Sequence, residues 1–150
     1  MKRIVLLLAL LITASYVSSD AFSNPIRGGE EYYKYPITSD SPDWFDYTVK
    51  EKVEMLRISP EILEQMTDEQ LVHAVADYPY IGDYATNNFS IEAGIKGLRN
   101  KCDALNELLN RPNGLQSLQK YGTELVQTNS TPWPFILEDL IDNIVKMYQP

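Results

Sequence analysis

The chain is poor in the residues that carry out chemistry or cross-link a fold. Of its 150 residues, one is cysteine (Cys102) and one is histidine (His73). A lone cysteine cannot close an internal disulfide, so stability must come from packing. A lone histidine rules out the His-Glu-x-x-His zinc motif and any ligand set built on paired imidazoles, and no metal site is expected. No Gly-x-Ser-x-Gly elbow occurs. Gly82-Asp83 and Asp40-Ser41-Pro42-Asp43 are too sparse to make a calcium loop. Positive charge is scarce as well: 13 Lys+Arg stand against 21 Asp+Glu, a formal net charge of −8. Such a surface is repelled by phosphate backbones, which removes nucleic acid as a partner class and disfavours anionic lipids and teichoic acids. No cofactor is implied. No stretch alternates apolar and polar residues between turn signals as a half-buried strand does.

Only one long apolar run exists, Ile4 to Ile12, and it lies at the start. Lys2 and Arg3 precede it, and Thr13, Ala14, Ser15, Ser18, Ser19, Asp20 and Ala21 follow. A charged start, a short apolar centre and small residues at the exit predict a secretory signal peptide over residues 1–21. Cleavage after Ala21 fits, as does cleavage after Ser15 or Ser19. The run is far shorter than the roughly 20 residues that span a bilayer, so no stable membrane insertion is expected. Cleavage after Ala21 takes away Lys2, Arg3 and Asp20, leaving a mature chain with 11 basic and 20 acidic residues, net −9. The mature chain is long enough for one domain with its own core. The expected location is secreted and extracellular, and a lone cysteine fits a Gram-positive exporter better than an animal one. The sequons Asn88-Phe89-Ser90 and Asn129-Ser130-Thr131 matter only in a glycosylating host.

Residues 22–40 carry Pro25, Gly28, Gly29 and Pro36, which break regular structure, together with Tyr32, Tyr33 and Tyr35. They predict an irregular, aromatic-rich arm, either disordered or lying on the helices. From Ser41 helix-start signals recur. Ser41-Pro42-Asp43 and Ser59-Pro60-Glu61 place a capping residue before a first-turn proline. Thr48 with Glu51 and Thr67 with Gln70 have capping-box spacing. Ser90 precedes Ile91 and Glu92. Ile91, Ile95, Leu98, Cys102, Leu105 and Leu109 step by four and three, which predicts one helix of five to six turns ended by Arg111-Pro112-Asn113-Gly114. Leu115 and Leu118 predict a shorter helix closing near Gly122. Ile136, Leu140, Ile144 and Met147, widened by Leu137, Ile141, Val145 and Tyr148, predict a central, well-buried last helix. Tyr78-Pro79-Tyr80 ends the helix before it, because proline disfavours helical geometry at Tyr78. Ile81, Tyr84 and Phe89 are expected to cover that corner. Gly94 and Gly97, costly inside a helix, point to close approach of another backbone. The expected fold is an all-α compact bundle of about six short to medium helices over residues 41–150.

Several of these stretches carry a resemblance. Tyr35-Pro36-Ile37-Thr38 and Pro42-Asp43-Trp44 resemble the entry segment of a family of small secreted helical proteins of uncharacterised function, found mainly in Gram-positive bacteria. Ile58-Ser59-Pro60-Glu61-Ile62-Leu63, Met66-Thr67 and Leu71-Val72 follow in the same order. Asp77-Tyr78-Pro79-Tyr80 is similar to that family's Asp/Asn-Tyr-Pro corner. Gly97-Leu98 and Leu105 to Arg111 resemble its long helix and exit. The resemblance runs from about Tyr35 to Tyr121. It implies bacterial export and a helical fold, and brings no catalytic residue with it.

Reactive groups are few. His73 and Asp77, four apart, can share a helix face as a base pair or as two metal ligands. The plainer expectation is a solvent-exposed histidine loosely paired with Asp77. Cys102 lies in an apolar seam, where a free cysteine behaves as a small buried hydrophobe rather than a nucleophile. Asp77, Asp83, Glu92 and Asp103 could supply a carboxylate pair for glycoside cleavage. Aromatic residues are the stronger lead, since tyrosine and tryptophan offer large area with a polar tip. Tyr32, Tyr33, Tyr35, Trp44, Tyr78 and Tyr80 are the candidate binding residues, although Trp44, Phe45, Trp133 and Phe135 could equally anchor the arm and last loop to the core. The leading expectation is a secreted, non-enzymatic interaction protein that binds an exported protein or a cell-envelope component. A small carboxylate-dependent cell-wall or glycan hydrolase is the alternative, recognisable by two acidic side chains across one aromatic cleft. A carrier of apolar ligands is the third.

Overall fold

A computed structural model describes residues 25–26, 30–86 and 90–148. The expected signal peptide and the placing of Phe89 lie outside the described residues. The fold is all-α. Apart from a two-residue antiparallel pair, Pro25–Ile26 with Glu30–Glu31, the described residues form seven α-helices and two short 3₁₀ turns. The helices are α1 (Val49–Met55), α2 (Pro60–Gln65), α3 (Asp68–Ala76), α4 (Ile91–Lys101), α5 (Asp103–Asn110), α6 (Gly114–Gln127) and α7 (Pro134–Tyr148). None is long and apolar enough to cross a membrane.

The start signals work through the bonds they predict. Thr48 accepts from the Glu51 amide while the Glu51 carboxylate accepts from the Thr48 amide, a reciprocal box opening α1. Thr67 and Gln70 repeat it at α3. Ser90 accepts from the Ala93 amide at α4. Ser41-Pro42-Asp43 instead leads only into the 3₁₀ turn Trp44–Asp46, since the Thr48 box starts the first true helix four residues later.

The helix α3 is central: it packs on α5 and α6, and α6 packs on α7. Leu71, Val72, Ala74 and Val75 of α3 meet Leu105 and Leu108 of α5 and Leu118 of α6 in a dry core. Leu137, Leu140 and Ile144 seal the far side. The expected long helix over Ile91 to Leu109 is two helices. Cys102 is extended, with φ −99° and ψ 98°. Three tertiary bonds hold this break open. Tyr78 donates its hydroxyl to the Lys101 carbonyl. The Asp103 carboxylate accepts from the Ile58 amide and from Arg57, tying the linker after α1 to the start of α5. The apolar period survives the break, so Cys102 and Leu105 stay buried while Ile91 emerges at 40% exposure.

The helix α6 does not close near Gly122 but runs on to Gln127. Gly122 lies under Ile141 of α7, where a Cβ would sit 2.5 Å from its Cδ1. It is there for helix contact, and the cost of glycine in a helix is offset by packing. The true end is Thr128-Asn129: Asn129 takes φ 50°, the Ser130 amide returns to the Leu125 carbonyl and the Asn129 amide to that of Val126, a Schellman close with asparagine in the left-handed position. Gly94 fulfils the expected close approach, since a Cβ there would lie 2.0 Å from the Tyr84 carbonyl oxygen; Gly97 has nothing within 4 Å.

Candidate functional site

The arm lies on the helices from Tyr32 onward. Tyr33, Tyr35 and Ile37 belong to the core cluster. Tyr35 donates its hydroxyl to the Ala74 carbonyl at 3.0 Å, and its ring meets Tyr33 edge-on, centroids 5.1 Å apart at 81°. Tyr32 stacks on His73 at 3.6 Å between centroids and donates its hydroxyl to Glu69 at 3.4 Å. The arm is therefore pinned to α3 through Tyr32 and Tyr35. The turn Thr38 to Ser41, closed by bonds in both directions, then carries the chain toward Trp44.

Opposite the arm, the α6–α7 loop is fixed to the end of α3. Thr131 donates its hydroxyl to the Ala76 carbonyl and accepts the Trp133 amide, both at 3.3 Å. This brings Pro132 and Trp133 up to the Asp77-Tyr78-Pro79 corner. Between arm, corner and loop lies a cleft of about 470 Å³. The arm lines it with Tyr32 to Tyr35 and Thr38 to Asp40, the corner with Asp77 and Pro79, and the loop with Pro132 and Trp133. Its size falls in the range of small-ligand pockets, and its walls are aromatic and proline-rich, with a few polar groups. A second hollow of about 220 Å³ adjoins it, sharing Tyr32 and Asp77 and adding Glu69, His73, Tyr121, Glu124 and Leu125 among its walls.

Electrostatics single out two side chains. His73 is half-buried beneath Tyr32, and burial lowers its pKa to about 4, so it is neutral at pH 7. The expectation of an exposed histidine is corrected: α3 turns His73 away from the core, but the arm covers it. Asp77, the residue that caps the C-terminal end of α3, has its carboxyl raised to about 6 by burial. Among the described residues that carboxylate accepts no hydrogen bond and pairs with no lysine or arginine. The His73–Asp77 pair expected from their spacing does not form through side chains; the bond between these residues is the helical one from the Asp77 amide to the His73 carbonyl.

The six aromatic candidates divide. Tyr32, Tyr33 and Tyr35 come together as one wall of the cleft. Tyr78 is wholly buried beneath them. Trp44 and Tyr80 lie apart from the cleft, tilted against each other at 5.5 Å with the Lys52 ammonium 4.4 Å over the indole. Of the alternative anchors only Trp44 is buried. Phe45 is 88% and Phe135 84% exposed, because Phe45 follows the inward Trp44 and Phe135 lies on the helix face opposite Leu137, two residues on, so each points away. The sequence offers Trp133 as an aromatic lead or as an anchor of the last loop, and gives no sign of Pro132, Asp40 or Lys34 at this site. The Pro132-Trp133-Pro134 run between two apolar periods was the readable signal for the loop.

Cys102 is fully buried and its thiol is pushed up to about 12 by burial, which removes the thiolate that nucleophilic chemistry needs. Among the described residues no group of three or more His, Cys, Asp or Glu side chains could hold a metal ion. Set against known proteins, the chain matches no family model, no curated protein and no solved structure.

Proposed function

We propose that the chain is an exported, non-enzymatic binding module that engages its partner, an exported protein or a cell-envelope component, through the cleft between arm, corner and loop. One observation carries the reading: three arm tyrosines, Trp133 and two prolines wall a cavity of about 470 Å³. Aromatic walls give contact area at low entropy cost, because the rings are already fixed by packing. Export rests on the Lys2-Arg3 start and the Ile4 to Ile12 run. The resemblance over Tyr35 to Tyr121 points the same way, toward Gram-positive bacteria. The test is co-sedimentation of the mature protein with envelope fractions from a Gram-positive host, alongside Ser39→Trp, which fills the mouth, and Trp133→Ala. Pelleting of the wild type that both variants lose supports the cleft as the contact. Pelleting that neither variant changes, or none at all, overturns it.

A second reading has a specific observation behind it. Asp40 and Asp77 line the same aromatic cleft, and the Asp77 carboxyl, raised to about 6, lies in the range of a general acid. A carboxylate-dependent glycan hydrolase would use such a pair. Release of reducing sugar from envelope glycan by the wild type, lost in both Asp77→Asn and Asp40→Asn, would replace the binding module with this enzyme.

A further inference from the structure

We propose that the cleft takes an organic cation, an alkylammonium group whose carbon stem lies among the arm tyrosines and Trp133 and whose charge faces Asp77. The inference deepens the binding-module reading and rests on it. Three observations converge. First, the walls are electron-rich rings. Tyr32, Tyr33 and Tyr35 line the cleft with the narrow margin of each that stays open, and Trp133, 42% exposed, adds the indole that cations favour most. This chain already places cations over its own rings elsewhere: the Lys120 ammonium lies 4.3 Å from the Tyr121 centroid. Second, the cleft contains a carboxylate that nothing in the described protein satisfies. A half-buried carboxylate without a donor is costly, and a ligand carrying positive charge would relieve that cost. The contrast with the chain's other half-buried carboxylates is direct, since Asp68 holds Arg111 and Ser117, and Asp103 holds Arg57 and an amide. Third, the surroundings are net negative. Asp40 and Asp77 line the cleft against Lys34 alone, and the adjoining hollow adds Glu69 and Glu124 beside a neutral His73. An anionic ligand would meet the carboxylates of Asp40 and Asp77 with Lys34 alone to offset them, and a neutral apolar one would cover Asp77 without giving it a partner.

The experiment is a calorimetric titration of the whole mature protein with choline, with N-acetyl-lysine methylamide, and with 3,3-dimethylbutan-1-ol, the uncharged isostere of choline. The expected result near neutral pH is about tenfold tighter binding of at least one cation than of the isostere. The better of the two cations tells whether the source is a small quaternary ammonium or a protein side chain. Asp77→Asn should erase the preference by weakening the cations and not the isostere, and Lys34→Ala should strengthen cation binding about threefold. Acidification to about pH 5 should weaken the cations and not the isostere, as Asp77 takes up its proton; Asp40, Lys34, Glu69 and Glu124 line the same space, and His73 stays largely neutral. Equal binding of the isostere and both cations overturns the charge assignment and leaves the cleft reading intact. Binding of none of the three overturns it as well, and the cleft reading then stands or falls on the Ser39→Trp co-sedimentation alone.

Discussion

Two charged side chains stand at opposite ends of α3, both largely withdrawn from water, and the protein treats them in opposite ways. At the N-terminal end Arg111, its side chain 21% exposed, makes four hydrogen bonds through its guanidinium. It donates to the Leu63 and Met66 carbonyls and to the carboxylates of Asp68 and Glu107, all at 2.8–3.1 Å. Ser117 completes Asp68 from α6. At the C-terminal end the Asp77 carboxylate has no such partner among the described residues. One charge fastens α2, α3, α5 and α6 together. The other is held in a cleft at a cost to stability. A charge retained without structural partners points to a role outside the fold, which is why the cleft end and not the Arg111 end is read as functional.

The strongest way to break this contrast is Arg111→Met. It leaves two carbonyls and two carboxylates short of a donor and should lower stability by about 2–3 kcal/mol in urea unfolding. A loss below about 1 kcal/mol would mean that the clamp is surface decoration and that the two ends are alike. Asp77→Asn should move stability the other way, up by about 1 kcal/mol near neutral pH, since it removes an unpartnered charge from a half-buried site. A melting point below wild type would show that the carboxylate has a structural partner after all.

The pH dependence sharpens the same comparison. The folded pKa of Asp77 is raised, to about 6, so its favourable contribution is present in acid and is lost as pH rises toward that value. His73 is lowered, to about 4, so its contribution is present above its ordinary value and is lost as pH falls. Between about pH 4 and 6.5 the two slopes oppose each other. The wild type should be nearly flat there, Asp77→Asn should lose stability on acidification, and His73→Gln should gain it, each by about 1 kcal/mol after solvent screening. Thermal melts across that range decide the signs. The smallest effect belongs to the exposed pair Glu92–Lys96 on α4. Glu92→Gln should leave the melting point indistinguishable from wild type, a control for charge loss as such.

Sequence and structure agree where the physics is local. The Thr48, Thr67 and Ser90 caps act within three residues of chain, and the apolar period of α7 needs only one helix face. The break at Cys102 was hidden because the apolar period runs through it unchanged. The bonds that open it come from Tyr78 and from the Arg57–Ile58 linker, more than 20 residues away. Gly122 misled for a related reason: a glycine under a neighbouring helix looks, in one dimension, like a glycine that ends its own. The site was half legible. The tyrosines were visible as a cluster, and His73–Asp77 as a spacing. That Tyr32 covers His73, and that Thr131 swings Trp133 across to the same cleft, depends on contacts 41 and 55 residues apart in the chain.

The extended residue between α4 and α5 also gives the molecule a clock. The Cys102 thiol is sealed in the centre and held far from its thiolate, so an alkylating reagent can reach it only when the helices part. As the single thiol of the chain, it makes the mass gained on timed exposure to such a reagent a direct count of whole-domain openings. Any compound that enters the cleft and stabilises the closed form should slow that count without touching the sulfur.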